Sequence, residues 1–197
     1  MNTFDQEKDL NDEEIALLVQ KGNIAIYEVL ISRYSEKIDR YLRKFLSSPE
    51  DIEDILQDIF IKCFVNIRSF DTDQRFSPWI YRIAHNEAIN LLKKNSSRPF
   101  SFDIFSETLT FVHPKAKEDS ENEAERELIK NYLDQILNDL DKKYKEIIVL
   151  YFYEDMSYKD ISDVLKIPIS LVGVRIQRGK EQIKKILKER GLEELKS

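Results

Sequence analysis

SYKDISDVLKIPISLVGVRIQRGKEQIKKIL, residues 157–187, decides how this chain folds. Ser157 followed three residues later by Asp160 has the form of a capping box, so a short helix is predicted to run to about Leu165. Lys166-Ile167-Pro168-Ile169 ends it, because the residue before a proline avoids helical geometry. Ser170 is then expected to cap a second helix that buries Val172, Ile176, Ile183 and Leu187 and exposes Arg175, Arg178 and Lys180. A short helix, a tight turn and a basic second helix describe a helix-turn-helix. An α-helix fits the major groove of B-DNA, where residues of its first turns meet base edges and later cations pair with phosphates. The candidate contacts are Tyr158 and Lys159 on the first helix, and Ser170, Leu171, Gly173, Val174, Arg175, Gln177, Arg178 and Lys180 on the second. A plain helical hairpin is the competing reading. It predicts neither two caps flanking a turn nor seven basic residues against one acid between Lys166 and Lys188.

Working outward, the 197-residue chain has room for one ordinary domain or two small ones. Its 42% hydrophobic content suffices for cores, and only four Gly and five Pro argue against an all-β fold. The expected class is all-α. Cys63 has no partner for an internal disulfide, which points to a reducing, cytoplasmic setting. MNTFDQEKDL at the N-terminus lacks the apolar core of a signal peptide, and the longest apolar run, Ile147 to Tyr153, is too short to span a bilayer, so no membrane insertion is expected. The net charge of −6 argues against nucleic acid, yet it is unevenly placed. A second basic patch, Arg75 to Arg98, holds five cations against Glu87 alone. Two basic patches on an acidic chain suggest two contacts with a polyanion, although Lys-rich helices can also be merely soluble.

Helical spacing recurs nearly throughout. Asp12 to Gln20 and Ile24 to Tyr34 read as helices broken at Lys21-Gly22-Asn23, and Ile38 to Leu46 as a third. Ser48-Pro49-Glu50-Asp51 is a strong helix start, and Ile52, Ile55, Leu56, Ile59, Phe60, Cys63 and Ile67 then repeat with a 3.6-residue period. Ser77-Pro78 starts another helix in the same way. From Asn95 to Glu125 no period persists, and seven acids face three bases, so this stretch reads as an acidic linker. Phe100, Phe102, Phe105 and Phe111 are unusual for an idle linker and suggest that it docks on something. Periodicity returns at Leu128, Tyr132, Ile136 and Leu140, and another helix follows Asp141. The resulting division is a tail (1–10), a helical domain (11–94), the linker (95–125) and the helix-turn-helix domain (126–190).

Two further faces carry chemistry. In FSPWIYRIAHNEAINLLKK, residues 76–94, one helical stripe bears Trp79, Arg82, Asn86 and Lys93. Arg82, Lys93 and Lys94 make this face basic, Asn86 and Asn90 add amides, and Trp79 adds an indole, a combination that an ordinary surface helix does not need. Trp79 reads equally well as core packing, and His85 as a polar helix residue beside DNA. In the preceding helix Asp51, Asp54 and Asp58 fall near one face with Gln57 beside them, which suits a basic protein partner. Three carboxylates at this spacing also fit a divalent metal or a solvated face.

The two halves together resemble the bacterial RNA polymerase sigma-70 family, in particular its small extracytoplasmic-function (ECF) group, over about residues 11 to 94 and 126 to 188. DIEDILQDIFIKCF, residues 51–64, is similar to the segment of region 2 that binds core polymerase. FSPWIYRIAHNEAINLLKK looks like the part of region 2 that melts and reads the minus-ten promoter element. LDKKYKEIIVLYFYEDMSYKDISDVL with IPISLVGVRIQRGKEQI looks like region 4, whose second helix reads the minus-thirty-five element. The resemblance implies a sigma region 2 bundle and a sigma region 4 helix-turn-helix, with core RNA polymerase, promoter DNA and an anti-sigma factor as partners and no cofactor. It assigns Asp51, Asp54, Ile55, Gln57, Asp58, Phe60 and Ile61 to core binding, and Trp79, Arg82, His85, Asn86, Asn90, Lys93 and Lys94 to the minus-ten element. The chain departs from the family pattern at Lys166, where glycine is usual, at Ser162 for alanine, Leu171 for threonine, Gly173-Val174 for Lys-Ser, and Asn90 for aspartate. These departures bear on which bases region 4 reads.

Two rivals stand beside this reading. A conventional helix-turn-helix regulator would explain the C-terminal half but not residues 51–64 followed by the aromatic, basic helix. An enzyme would need a site, yet glycine-rich phosphate loops are absent, His85 and His113 are isolated, and Cys63 lies on an apolar stripe.

Overall fold

The computed structural model describes residues 10–95 and 132–191, and every described element is helical. Helices α1 (Asp12–Gln20), α2 (Tyr27–Leu42), α3 (Pro49–Asn66) and α4 (Phe76–Asn95) form the first half. Helices α5 (residues 132–138), α6 (Lys142–Ile148), α7 (Tyr158–Leu165) and α8 (Ile169–Glu189) form the second, with a π-helical turn at Val149–Tyr153. The acidic linker, its four phenylalanines and His113 lie outside the described residues.

The start at Ser48 works as the sequence predicts: its side chain accepts the Asp51 N–H at the head of α3. The start expected at Ser77-Pro78 comes earlier, since α4 already begins at Phe76. Asn11 and Glu14, which the sequence did not single out, close a capping box on α1. Gly22, at φ 103°, makes the break after α1. A further boundary differs. The two helices expected over Ile24–Tyr34 and Ile38–Leu46 are one helix, α2, which runs through Ser35-Glu36-Lys37 and ends at Leu42. Leu30, Tyr34, Ile38 and Tyr41 form one continuous buried stripe, so packing carries the helix across a polar stretch.

In the first half α3 and α4 pack on each other and on α2, around Tyr41, Tyr81, Phe76, Ile52 and Ile59. In the second half α6, α7 and α8 enclose Ile147, Leu150, Ile161, Val172 and Ile176. Gly179 lets α8 approach α6 closely: a Cβ there would lie 3.0 Å from Ile148 Cγ1. The halves are docked. Helix α7 lies against α4, the Lys44 ammonium pairs with Asp134 and sits 4.5 Å from the Tyr153 ring, Arg75 pairs with Asp160, and the Tyr81 hydroxyl donates to Glu154. Burial of Glu154 at this seam raises its carboxyl above the usual range, and burial also lowers Lys145 to about 8.

Candidate nucleic-acid interface

The helix-turn-helix forms where the sequence places it. Ser157 and Asp160 close their capping box, α7 ends at Leu165, and Lys166 turns the chain in the left-handed region, at φ 53° and ψ 46°. The Ser162 hydroxyl donates to the Ile167 carbonyl at 2.6 Å and braces that turn. Helix α8 begins at Ile169 with Pro168 as its N-cap residue and no side-chain cap bond. The cap expected from Ser170 is therefore replaced by proline geometry, and Ser170 stands exposed in the first turn.

Along α8, Val172 and Ile176 are buried, Ile183 and Leu187 are half-buried, and Gly179 and Ile186 complete the inner face. Ser170, Val174, Gln177, Arg178 and Lys180 point outward, while Leu171, Gly173 and Arg175 are half-buried. Gln177 bonds Glu181, and the Lys180 ammonium lies 5.2 Å from the Phe152 ring. Exposed Tyr158 sits over Gly173, where an added Cβ would meet its ring at 3.4 Å, and Lys159 is exposed beside it. Phe152, 53% exposed on the π-helical turn, joins this surface. It had no place in the sequence reading, because only the π-helical turn swings it out of the buried Ile147–Leu150 stripe.

On α4, Asn86, Asn90, Lys93 and Lys94 are exposed along one side. Trp79 is half-buried with its ring centroid 5.0 Å from Phe70 and 5.5 Å from Phe76. Its other side and Arg82 line a cleft of about 310 Å³, whose far wall is Lys159, Asp160 and Asp163 of α7. Packing and access therefore coexist at Trp79. His85 differs from its expected place beside DNA. It turns into the seam, shares a 3.1 Å hydrogen bond with the Tyr41 hydroxyl, and is pushed down to about 4 by burial and by Lys142. It is neutral at physiological pH and is held away from the exposed face.

On α3, Asp54, Gln57, Asp58 and Ile61 are exposed and Asp51 is half-buried. Ile55 and Phe60, expected on the contact face, are 7% and 8% exposed and seat the helix on the core. Val65, 69% exposed, extends the stripe that Asp51, Asp54, Asp58 and Ile61 begin. It was legible as an apolar residue out of register with the core stripe. Among the described residues no three His, Cys, Asp or Glu side chains gather to hold a metal, and these aspartates form a row rather than a cage. Cys63 is buried, and burial pushes its thiol up to about 12.

Residues 30–98 match the Sigma-70 region 2 family, and residues 130–183 match the Sigma-70, region 4 family. The ECF RNA polymerase sigma-E factor of Haemophilus influenzae is 32% identical, over 88% of this chain and 94% of its own length. The chain belongs to the ECF sigma factor family. This ECF sigma factor is also 30% identical to the ECF RNA polymerase sigma factor SigW of Bacillus subtilis, over 87% of the chain and 94% of that protein. Among solved structures, CnrH in complex with the cytosolic domain of CnrY shares its fold at a TM-score of 0.68 and 24% identity, covering 90% of this chain and 97% of CnrH. The protein is thus a sigma factor, a DNA-binding component of transcription initiation. No helix among the described residues is long and apolar enough to cross a membrane.

Proposed function

We propose that this sigma factor divides its work among three surfaces, binds core RNA polymerase in the cytoplasm, has no enzymatic activity of its own and needs no cofactor. The α3 stripe of Asp51, Asp54, Gln57, Asp58 and Ile61 meets a basic and apolar surface of core polymerase. The α4 stripe takes the minus-ten element: Arg82, Lys93 and Lys94 neutralise phosphates, Asn86 and Asn90 bond base edges, and Trp79 stacks on a base leaving the duplex. The first turns of α8 read the minus-thirty-five element. The observation that carries this reading is the placement of an amide-bearing, basic and aromatic stripe on α4 beside a helix-turn-helix in the same chain.

An acidic protein with two small basic patches binds free DNA weakly. Core polymerase holds both patches at promoter spacing, so the second contact becomes effectively intramolecular. For this, the α7–α4 seam has to open, because α7 walls one side of Trp79 and Arg82. The linker lies along a cationic channel of the polymerase, and an anti-sigma factor keeps the protein inactive. Reversing the linker charge therefore changes initiation or promoter escape, and unchanged kinetics would remove that part of the proposal. Run-off transcription with core polymerase and a pool of genomic promoters tests the whole. Specific transcripts appear only when both proteins are present, and Asn86→Ala with Lys93→Ala reduces them. An isolated chain that selects duplex DNA without polymerase, and gives no core-dependent transcript, makes the protein a conventional regulator instead.

A further inference from the structure

Helix α1 lies outside the stretch matched to region 2, yet it touches the minus-ten apparatus at two points. The Glu13 carboxylate accepts the backbone N–H of Phe76 at 2.7 Å. That N–H opens α4, and Phe76 is fully buried, so water cannot serve it. A carboxylate there also complements the positive end of the helix dipole. Two turns further along α1, the Gln20 amide donates to the carbonyls of Ile67 and Phe70, at 2.7 and 2.8 Å. Glu13 and Gln20 are seven residues apart and share one side of the helix. Between them they fix both ends of the segment 67–76. Phe70 and Phe76 are the two rings against which Trp79 packs.

Helix α1 is itself anchored. Asp12 pairs with Arg33 at 2.7 Å and accepts the Tyr34 hydroxyl at 2.5 Å, and the Tyr34 ring meets Phe76 edge-on at 5.4 Å. The route from α2 to Trp79 is thus continuous, through charge pairing, a helix cap and ring packing. Trp79 is carried by α4, and its ring is steadied at the mouth of the cleft by two neighbours whose backbones α1 holds.

We propose that Glu13 and Gln20 are positioning residues for promoter melting, acting through the segment 67–76 to hold Trp79 where it can receive an unpaired base. This rests on the assignment of α4 to the minus-ten element.

Trp79 is the only tryptophan in the chain, so its fluorescence reports the platform directly, without polymerase or DNA. The variants are Glu13→Ala with Gln20→Leu, and Glu13→Gln, which keeps an acceptor for the Phe76 N–H. At a temperature well below unfolding by circular dichroism, the double variant shows red-shifted Trp79 emission and faster acrylamide quenching. Its affinity for core polymerase is retained, because the α3 stripe is untouched. Its run-off initiation falls about tenfold or more, since the charge-assisted Glu13 bond alone is worth about that factor and both Gln20 bonds are lost with it. Glu13→Gln keeps most of the wild-type signal in both assays. The proposal is overturned by unchanged emission and initiation in the double variant, or by a fall in initiation that only tracks the fraction unfolded. If the wild-type protein gives no core-dependent transcript, the functional assignment fails on its own, while the fluorescence result still decides whether α1 positions Trp79.

Discussion

Replacing Lys166 by glycine stabilises the helix-turn-helix, and the gain can be estimated from its backbone. Lys166 sits at φ 53° and ψ 46°, where an L side chain crowds the following carbonyl. That conformation costs about 1–2 kcal/mol for a residue other than glycine. Glycine removes the crowding but frees the unfolded chain, which takes back about 0.4–1 kcal/mol. Losing a cation from the C-terminal end of α7 removes a further ~0.3 kcal/mol. Lys166 is exposed, so no packing is lost. The turn is also held independently of this side chain, by the Ser162–Ile167 hydroxyl bond at 2.6 Å and the Ile167 N–H to the Ser162 carbonyl at 3.3 Å. The net gain is about 0.5 kcal/mol, which raises Tm by ~1–2 °C in a chain of this length. Lys166→Val is the complementary test: a β-branched side chain in the left-handed region destabilises by about 1 kcal/mol or more. Calorimetry and urea unfolding on the three proteins give the ranking Gly, then Lys, then Val, with m unchanged. Equal stability of the valine and glycine variants would refute the claim that Lys166 is strained.

On NMR titration the C2–H signal of His85 moves near pH 4. Its folded pKa lies below the unfolded value, so it favours folding fully above about pH 6.5, and that contribution, on the order of 2 kcal/mol, is lost as pH falls from 6.5 towards 4. A His85 signal titrating at the ordinary value would show that the seam is open to water. Tyr81→Phe leaves the half-buried Glu154 carboxylate without that hydroxyl donor. It lowers stability by about 1–3 kcal/mol by urea unfolding, and no loss would mean that the bond does not contribute. Cys63 resists iodoacetamide at pH 8 in the folded protein and reacts once the chain is unfolded in guanidinium, since its buried thiol is raised to about 12. Rapid labelling of the native protein would count against that burial.

Much of this protein was legible because its signals are local. The capping box at Ser157 and Asp160, the stop before Pro168 and the buried period of α3 each involve residues within one or two helical turns. Neighbours at that range in sequence are neighbours in space whatever the rest of the chain does. The three-stripe layout of α3, α4 and α8 followed from the same periodicity, and so did the outward Asp54, Asp58, Asn86, Lys93 and Arg178. The sequence missed where a helix outlasts its own propensity, as α2 does across Ser35 to Lys37 because its inner stripe is buried. The 3.6-residue period had already put Ile55 and Phe60 on the core stripe and left Ile61 and Val65 off it. The place of Ile55 and Phe60 in the polymerase-contact set came from the family resemblance, and the packing of α3 removes them from that face.

The amino-acid order by itself determined most of the helices, the local caps at Ser48 and Ser157 and the pattern of charge, since these arise from contacts over a few residues. Tertiary structure alone decided that His85 faces the seam, that Arg75 meets Asp160 across 85 positions, and that Glu13 caps a helix beginning 63 residues later. Those contacts join groups with no local relation, and they exist only once the apolar faces have docked and excluded the water that would otherwise satisfy each partner.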